Sequence, residues 1–164
     1  ISDYAKGLFS FRLAQEIITF AKQHGKKIVV DTKPSHCDWF VGVDVITPNL
    51  KEAIEMSGVG EFPEVGYALM TMLDSNIMLT RGGDGITVFT KDGAMSHMPA
   101  KKIQVFDVTG AGDTVLAAAT MGLVSGLSLR DAASLANIAA GIVVQKFGTQ
   151  CVTVDELEKE LAED

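Results

Sequence analysis

Phe106-Asp107-Val108-Thr109-Gly110-Ala111-Gly112-Asp113-Thr114-Val115 is the stretch on which the reading of this chain turns. An Asp-x-Thr enters a Gly-Ala-Gly turn, an acid follows, and small apolar residues at 116–120 then read as a buried helix. Consecutive backbone N–H groups at a helix start form a positive cradle for an anion, and glycines let that backbone come close. Asp113 falls in the first turn, beside the place of the anion. A carboxylate there works against binding alone. It makes sense if it removes a proton from a hydroxyl that attacks a phosphate. The stretch therefore suggests phosphoryl transfer to an alcohol. The plainer reading is a glycine-rich connection in which Asp113 only favours the helix dipole.

Working outward, helical and strand patterns alternate. Residues 10–23 are amphipathic, with Ser10 as N-cap and Gly25 as the stop. Strands are expected at 27–31, 43–47 and 76–80, and helices at 48–56, closed by Gly58, and at 61–73. Residues 86–90 and 94–98 flank Lys91-Asp92-Gly93, a hairpin signal. A strand at 103–106 is expected to lead into the glycine turn. Helices then follow at 111–125 and 128–146, the second opened by Ser128 and Asp131, and Thr153 and Glu156 form a capping box for a last short helix. Such alternation predicts a mostly parallel sheet covered on both faces, in a single domain over residues 1–164.

The totals narrow the function. The chain is 47% hydrophobic and 21% charged, so it is globular. Its formal net charge is −7, and its basic residues gather only in pairs such as Lys26-Lys27 and Lys101-Lys102. Nucleic acid and anionic membrane are poor partners for such a surface. An anionic ligand would need positive potential concentrated at loops and helix ends. Cys37 and Cys151 have no metal-ligand spacing around them and are expected to be free thiols of a cytoplasmic protein. Residues 115–124 and 132–144 are the longest apolar stretches and fall short of a membrane span. The chain opens at Ile1 with what reads as the end of a buried strand, and it is expected to be cut from something longer.

Asp-x-Thr-Gly-Ala-Gly-Asp-Thr is more specific than a lone Gly-x-Gly, and with it the chain resembles the ribokinase (PfkB-type) family of carbohydrate kinases. The resemblance runs over almost the whole chain. It implies a ribokinase-like three-layer α/β/α sandwich, ATP and Mg²⁺ as cofactors, and Asp113 as general base. The N–H groups of Gly110, Ala111 and Gly112 would stabilise the transferring phosphoryl group. Thr47-Pro48-Asn49-Leu50-Lys51-Glu52 is similar to the family's Asn-x-x-Glu motif, so Asn49 and Glu52 would order Mg²⁺-bound water or a phosphate. A helix cap accounts for the same two residues locally. Thr80-Arg81-Gly82-Gly83-Asp84-Gly85 resembles the family turn along the nucleotide, which assigns Thr80, Arg81, Gly82 and Gly85 to nucleotide binding. Asn137 and Gly141 match the helix whose edge faces adenine. Asn137 interrupts an apolar helix and needs a partner, either a base, which is the reading taken here, or backbone. The loop after that helix resembles one that binds a monovalent cation, and K⁺ would lie among Asp107, Thr109, Val144, Phe147 and Thr149.

Ser2-Asp3-Tyr4-Ala5-Lys6-Gly7 and Asp31-Thr32-Lys33-Pro34 are similar to segments of the bacterial heptose-7-phosphate kinases that supply ADP-heptose for lipopolysaccharide, Thr32 departing from their usual proline. Lys6 and Lys33 would then meet a sugar phosphate. Other sugar or nucleoside kinases of the family, and a non-catalytic nucleotide-binding remnant, stay open as alternatives. The family's N-terminal part and its lid are missing. The 164 residues alone are expected to be inactive, and the parent protein to be a homo-oligomer.

Overall fold

A computed structural model describes residues 1–162 and shows one six-stranded sheet with helices on both faces. Strand order follows chain order: β1 (Ser2–Asp3), β2 (Val29–Thr32), β3 (Val45–Ile46), β4 (Asn76–Thr80), β5 (Ile86–Phe89) and β6 (Met95–Met98). The first four run parallel, and β4, β5 and β6 form an antiparallel meander.

Strand side chains alternate between the two faces, and that period separates two cores. Val30, Ile46, Ile77, Leu79 and Phe89 share one core with α1 (Phe11–Gln23), a 3₁₀ segment at Pro34–Phe40, α2 (Leu50–Ser57) and α3 (Glu64–Leu73). Their neighbours Val29, Val45, Met78, Ile86 and Val88 face α4 (Ala111–Val124) and α5 (Leu129–Val143). The last helix, α6 (Val154–Ala162), packs against α5. Phe89 is fully buried and meets Tyr67 edge-on at 5.0 Å. Its ring leaves no room at Gly66, where an added Cβ would lie 2.2 Å from Phe89 Cε2.

The strands at 76–80 and 86–98 match the sequence expectation closely. Residues 103–106 do not. They form no strand, and the chain runs irregularly from Pro99 to α4. Pro99 has no N–H to extend the ladder. Further on, the N–H groups of Phe106 and Asp107 donate to the Val144 carbonyl at the end of α5, at 2.8 and 3.3 Å. The segment that enters the glycine turn is thus tied to the end of α5 in place of a sheet ladder. Cys37 and Cys151 are free. Among the described residues no helix is long and apolar enough to cross a membrane.

Candidate functional site

Most helices here close their own first turn. Ser10 accepts the Leu13 N–H, Ser128 the Asp131 N–H and Thr153 the Glu156 N–H. At α2, Asn49 accepts the Glu52 N–H at 2.9 Å and the Glu52 carboxylate accepts the Asn49 N–H at 3.1 Å, a full capping box. At α3, Val65 and Gly66 donate to the carbonyls of Glu61 and Pro63. The start of α4 is different. Gly110 is its N-cap, in the left-handed region at φ 83°, and no side chain caps it. The Ala111 N–H goes to the Val108 carbonyl at 3.2 Å. The N–H groups of Gly110, Gly112 and Asp113 have no acceptor among the described residues. The Ala111 N–H, one of the three expected phosphate donors, is thus already held by backbone, while those of Gly110 and Gly112 stay open.

Asp113 is the third residue of α4, and both of its carboxylate oxygens face hydroxyls from β1 and its exit. Ser2 Oγ donates to Oδ1 at 3.1 Å and Tyr4 Oη to Oδ2 at 2.6 Å. Donation to this carboxylate raises the Tyr4 phenol above its usual pKa. Asp31, at the end of β2, is a neighbour that sequence reading missed as a site residue. A Cβ on Gly112 would lie 3.9 Å from its Oδ2. Burial, and then the charge of Glu52, push the Asp31 carboxyl up to about 6, against the pull of Lys33. Lys33 Nζ donates to Glu52 Oε1 at 2.6 Å and lies 5.7 Å from the Tyr4 ring centroid. Lys33, Glu52 and Asp113 thus converge with Asp31. Lys6 is exposed on the loop after β1.

A cleft of about 900 Å³ opens beside the α4 start. Thr80, Gly82, Gly85, Ala111, Gly112, Asn137 and Gly141 line it, with Lys102 and Arg130 adding positive charge that sequence reading had not placed there and Lys101 paired with Glu160 at 2.9 Å. Gly85 must be glycine, since its φ is 86° and a Cβ would lie 2.1 Å from the Met98 carbonyl oxygen. Two expected contacts need correction. The Arg81 side chain turns out of the cleft, its guanidinium 3.9 Å from the Phe62 ring centroid and paired with Asp84 at 3.1 Å. The Asn137 amide already has backbone partners, donating to Pro99 O at 2.9 Å and Met98 O at 3.4 Å. It anchors the 98–99 segment to α5, so its place in an apolar helix requires no base.

The loop after α5 folds against the glycine turn. Asp107 accepts the Thr109 N–H at 2.9 Å and the Gly148 N–H at 3.1 Å, and these amides, Thr109 first, hold its carboxyl below the usual range. A Cβ on Gly110 would lie 3.4 Å from Thr149 Cγ2, and the Phe106 and Phe147 rings are 4.9 Å apart. Asp107, Thr109, Phe147 and Thr149 are therefore neighbours. Val144 leaves the expected cation set, because two N–H donors already occupy its carbonyl.

The description pfkB family carbohydrate kinase matches residues 9–155. Two curated relatives, each called bifunctional protein HldE, are similar along nearly the whole chain. The one from Syntrophotalea carbinolica is 41% identical over 99% of this chain and 34% of its own length, and the one from Paramagnetospirillum magneticum is 44% identical over 96% and 33%. The chain thus spans about a third of the length of these relatives. Among solved structures, Escherichia coli phosphofructokinase-2 in complex with potassium superposes with a TM-score of 0.82 at 16% identity, over 94% of this chain and 53% of that one. Arabidopsis thaliana ribokinase complexed with ribose and ATP gives 0.80 at 22%, over 93% and 53%. At these identities the superpositions establish the ribokinase-like fold.

Proposed function

The chain belongs to the pfkB family of carbohydrate kinases, and from that premise we propose that it is the nucleotide-binding and proton-abstracting part of a cytoplasmic ATP-dependent kinase acting on heptose 7-phosphate. The observation that carries this reading is the α4 start, where unfilled N–H groups and the Asp113 carboxylate meet at the mouth of a glycine-lined cleft. ATP lies along Thr80, Gly82, Gly85 and Gly141, with its phosphates toward Gly110, Gly112 and Asp113. The acceptor hydroxyl gives its proton to Asp113 as its oxygen bonds to the terminal phosphorus, and the bond from phosphorus to ADP breaks. Fixed N–H groups meet the charge that builds on the transferring phosphoryl oxygens without reorganising.

Among the described residues no three metal-ligating side chains cluster, so Mg²⁺ would arrive on the ATP phosphates, and Asp31, Glu52 and Asn49 would meet its water at the acidic corner. Bound there, it would neutralise phosphate charge. K⁺ fits Asp107, Thr109, Phe147 and Thr149, where it would stiffen the glycine turn. Lys33 reads the sugar phosphate by exchanging Glu52 for it, helped by Lys6 from the exposed loop. The kinase works as a homo-oligomer. A panel of sugars and sugar phosphates, assayed for ATP-dependent phosphorylation by the full-length protein, tests the reading. Heptose 7-phosphate should be preferred, and Lys33→Met should erase the preference. Preference for an uncharged sugar would move the protein elsewhere in the family. ATP binding with no transfer to any acceptor would make it a nucleotide-binding remnant.

A further inference from the structure

Tyr4 is not needed for any step above, yet it makes the shorter of the two hydroxyl contacts to the base. Its phenol donates to Asp113 Oδ2 at 2.6 Å while more than half of the residue remains exposed. Its backbone is anchored just upstream. Asp3 is buried, accepts the Ala5 N–H at 2.9 Å and lies 2.7 Å from His36 Nδ1. Ala5 adopts φ 53°, a left-handed conformation uncommon for a residue with a Cβ, and residues 4–10 form no helix or strand. Tyr4 thus stands at the junction of a fixed strand and an irregular loop. The Lys33 ammonium faces its ring. Tyr4 therefore touches the base through its hydroxyl and neighbours, through its ring, the lysine assigned to the sugar phosphate.

An acceptor hydroxyl must donate to the same carboxylate before it can lose its proton, and both carboxylate oxygens already hold a hydroxyl. We propose that Tyr4 is a gate on the base: its phenol occupies one oxygen of the solvent-exposed Asp113 carboxylate and yields that position to the acceptor hydroxyl when a sugar phosphate draws Lys33 away. This rests on the reading of Asp113 as general base. Without the gate, water can take the acceptor's place. Its proton would pass to Asp113 and its oxygen would bond to the terminal phosphorus of ATP. The bond to ADP would break, leaving inorganic phosphate and ADP.

The test is phosphate release by the full-length protein with ATP and Mg²⁺ and no sugar, alongside transfer kinetics with heptose 7-phosphate. Loss of one hydrogen bond to a charged group is worth on the order of a tenfold effect, so Tyr4→Phe should raise acceptor-free hydrolysis about 10-fold and lower the acceptor KM, with kcat little changed. The added hydrolysis should vanish in the Tyr4→Phe/Asp113→Asn double variant. Tyr4→Leu, which removes the ring as well as the hydroxyl, should repeat the result. Unchanged hydrolysis, or a fall in kcat at unchanged KM, would overturn the gate while leaving Asp113 as base. Transfer by the wild type that is insensitive to Asp113→Asn, or absent altogether, would overturn the underlying reading and the gate with it.

Discussion

The starts of α2 and α4 are built from similar materials and put to opposite uses. Each carries an acid at its third helical residue, Glu52 in one and Asp113 in the other. In α2 that acid turns back to its own N-cap, and Asn49 completes the exchange. In α4 the N-cap is a glycine with no side chain to offer, and the acid faces outward to Ser2 and Tyr4. A capped start stabilises the fold, whereas an open start leaves N–H groups whose best partner is an anion from solution. The two helix ends thus divide into one that closes on itself and one that is left open.

Four substitutions sharpen or break that division. Gly110→Ala should lower transfer in the full-length kinase by on the order of 100-fold, the usual weight of a displaced oxyanion donor, because φ 83° resists a Cβ and the turn must shift. Transfer rates near wild type would show that the turn's geometry does not matter. Asp31→Asn should raise stability above about pH 6 by at most about 3 kcal/mol, since folding lifts the Asp31 pKa to about 6. The sign follows from proton binding. The folded state holds this proton more tightly than the unfolded one, so stability falls as pH rises from the ordinary carboxylate pKa to about 6, then levels off. Melting temperatures of the two proteins should therefore converge near pH 4 and separate near pH 7, within about a unit of the limits set by those pKa values. A constant gap would contradict the crowding of Asp31.

Asn49→Ala should destabilise the protein by about 1 kcal/mol in denaturant unfolding, as loss of an N-cap does. No loss would mean that the box is not what holds α2. Gly112→Ala should have the smallest effect on the fold, a gain of about 0.5 kcal/mol from helix propensity, because the new Cβ meets Asp31 Oδ2 only at ordinary contact distance. ATP binding should weaken at the same time, as the methyl occupies the floor of the cradle. A stabilised variant with unaltered ATP affinity, measured by calorimetry, would place the phosphates elsewhere.

Much of this was legible along the chain because it depends on near neighbours. The hairpin turn at 91–93, the caps at Ser10, Asn49, Ser128 and Thr153, and the glycine turn itself each rest on residues within a few positions. Contacts made across the fold were not legible. Ser2 and Tyr4 reach Asp113 from 111 and 109 residues away. Asp31 becomes notable only because α2 and α4 bring two other carboxylates, Glu52 and Asp113, beside it. Residues 103–106 have a strand's composition, yet the carbonyl at the end of α5 claims the amides of Phe106 and Asp107. Asn137 was rightly seen to need a partner, and only the fold could show that partner to be backbone.

The central claim is that Asp113 acts on a proton and not on binding. Turnover and ATP affinity of the full-length protein and its Asp113→Asn variant, measured side by side, test it most directly. Turnover should fall by about 10²–10⁴-fold, the range for loss of a general base, while the dissociation constant for ATP stays within about a factor of three. Near wild-type turnover in the variant, or a loss accounted for by weakened ATP binding, would contradict it.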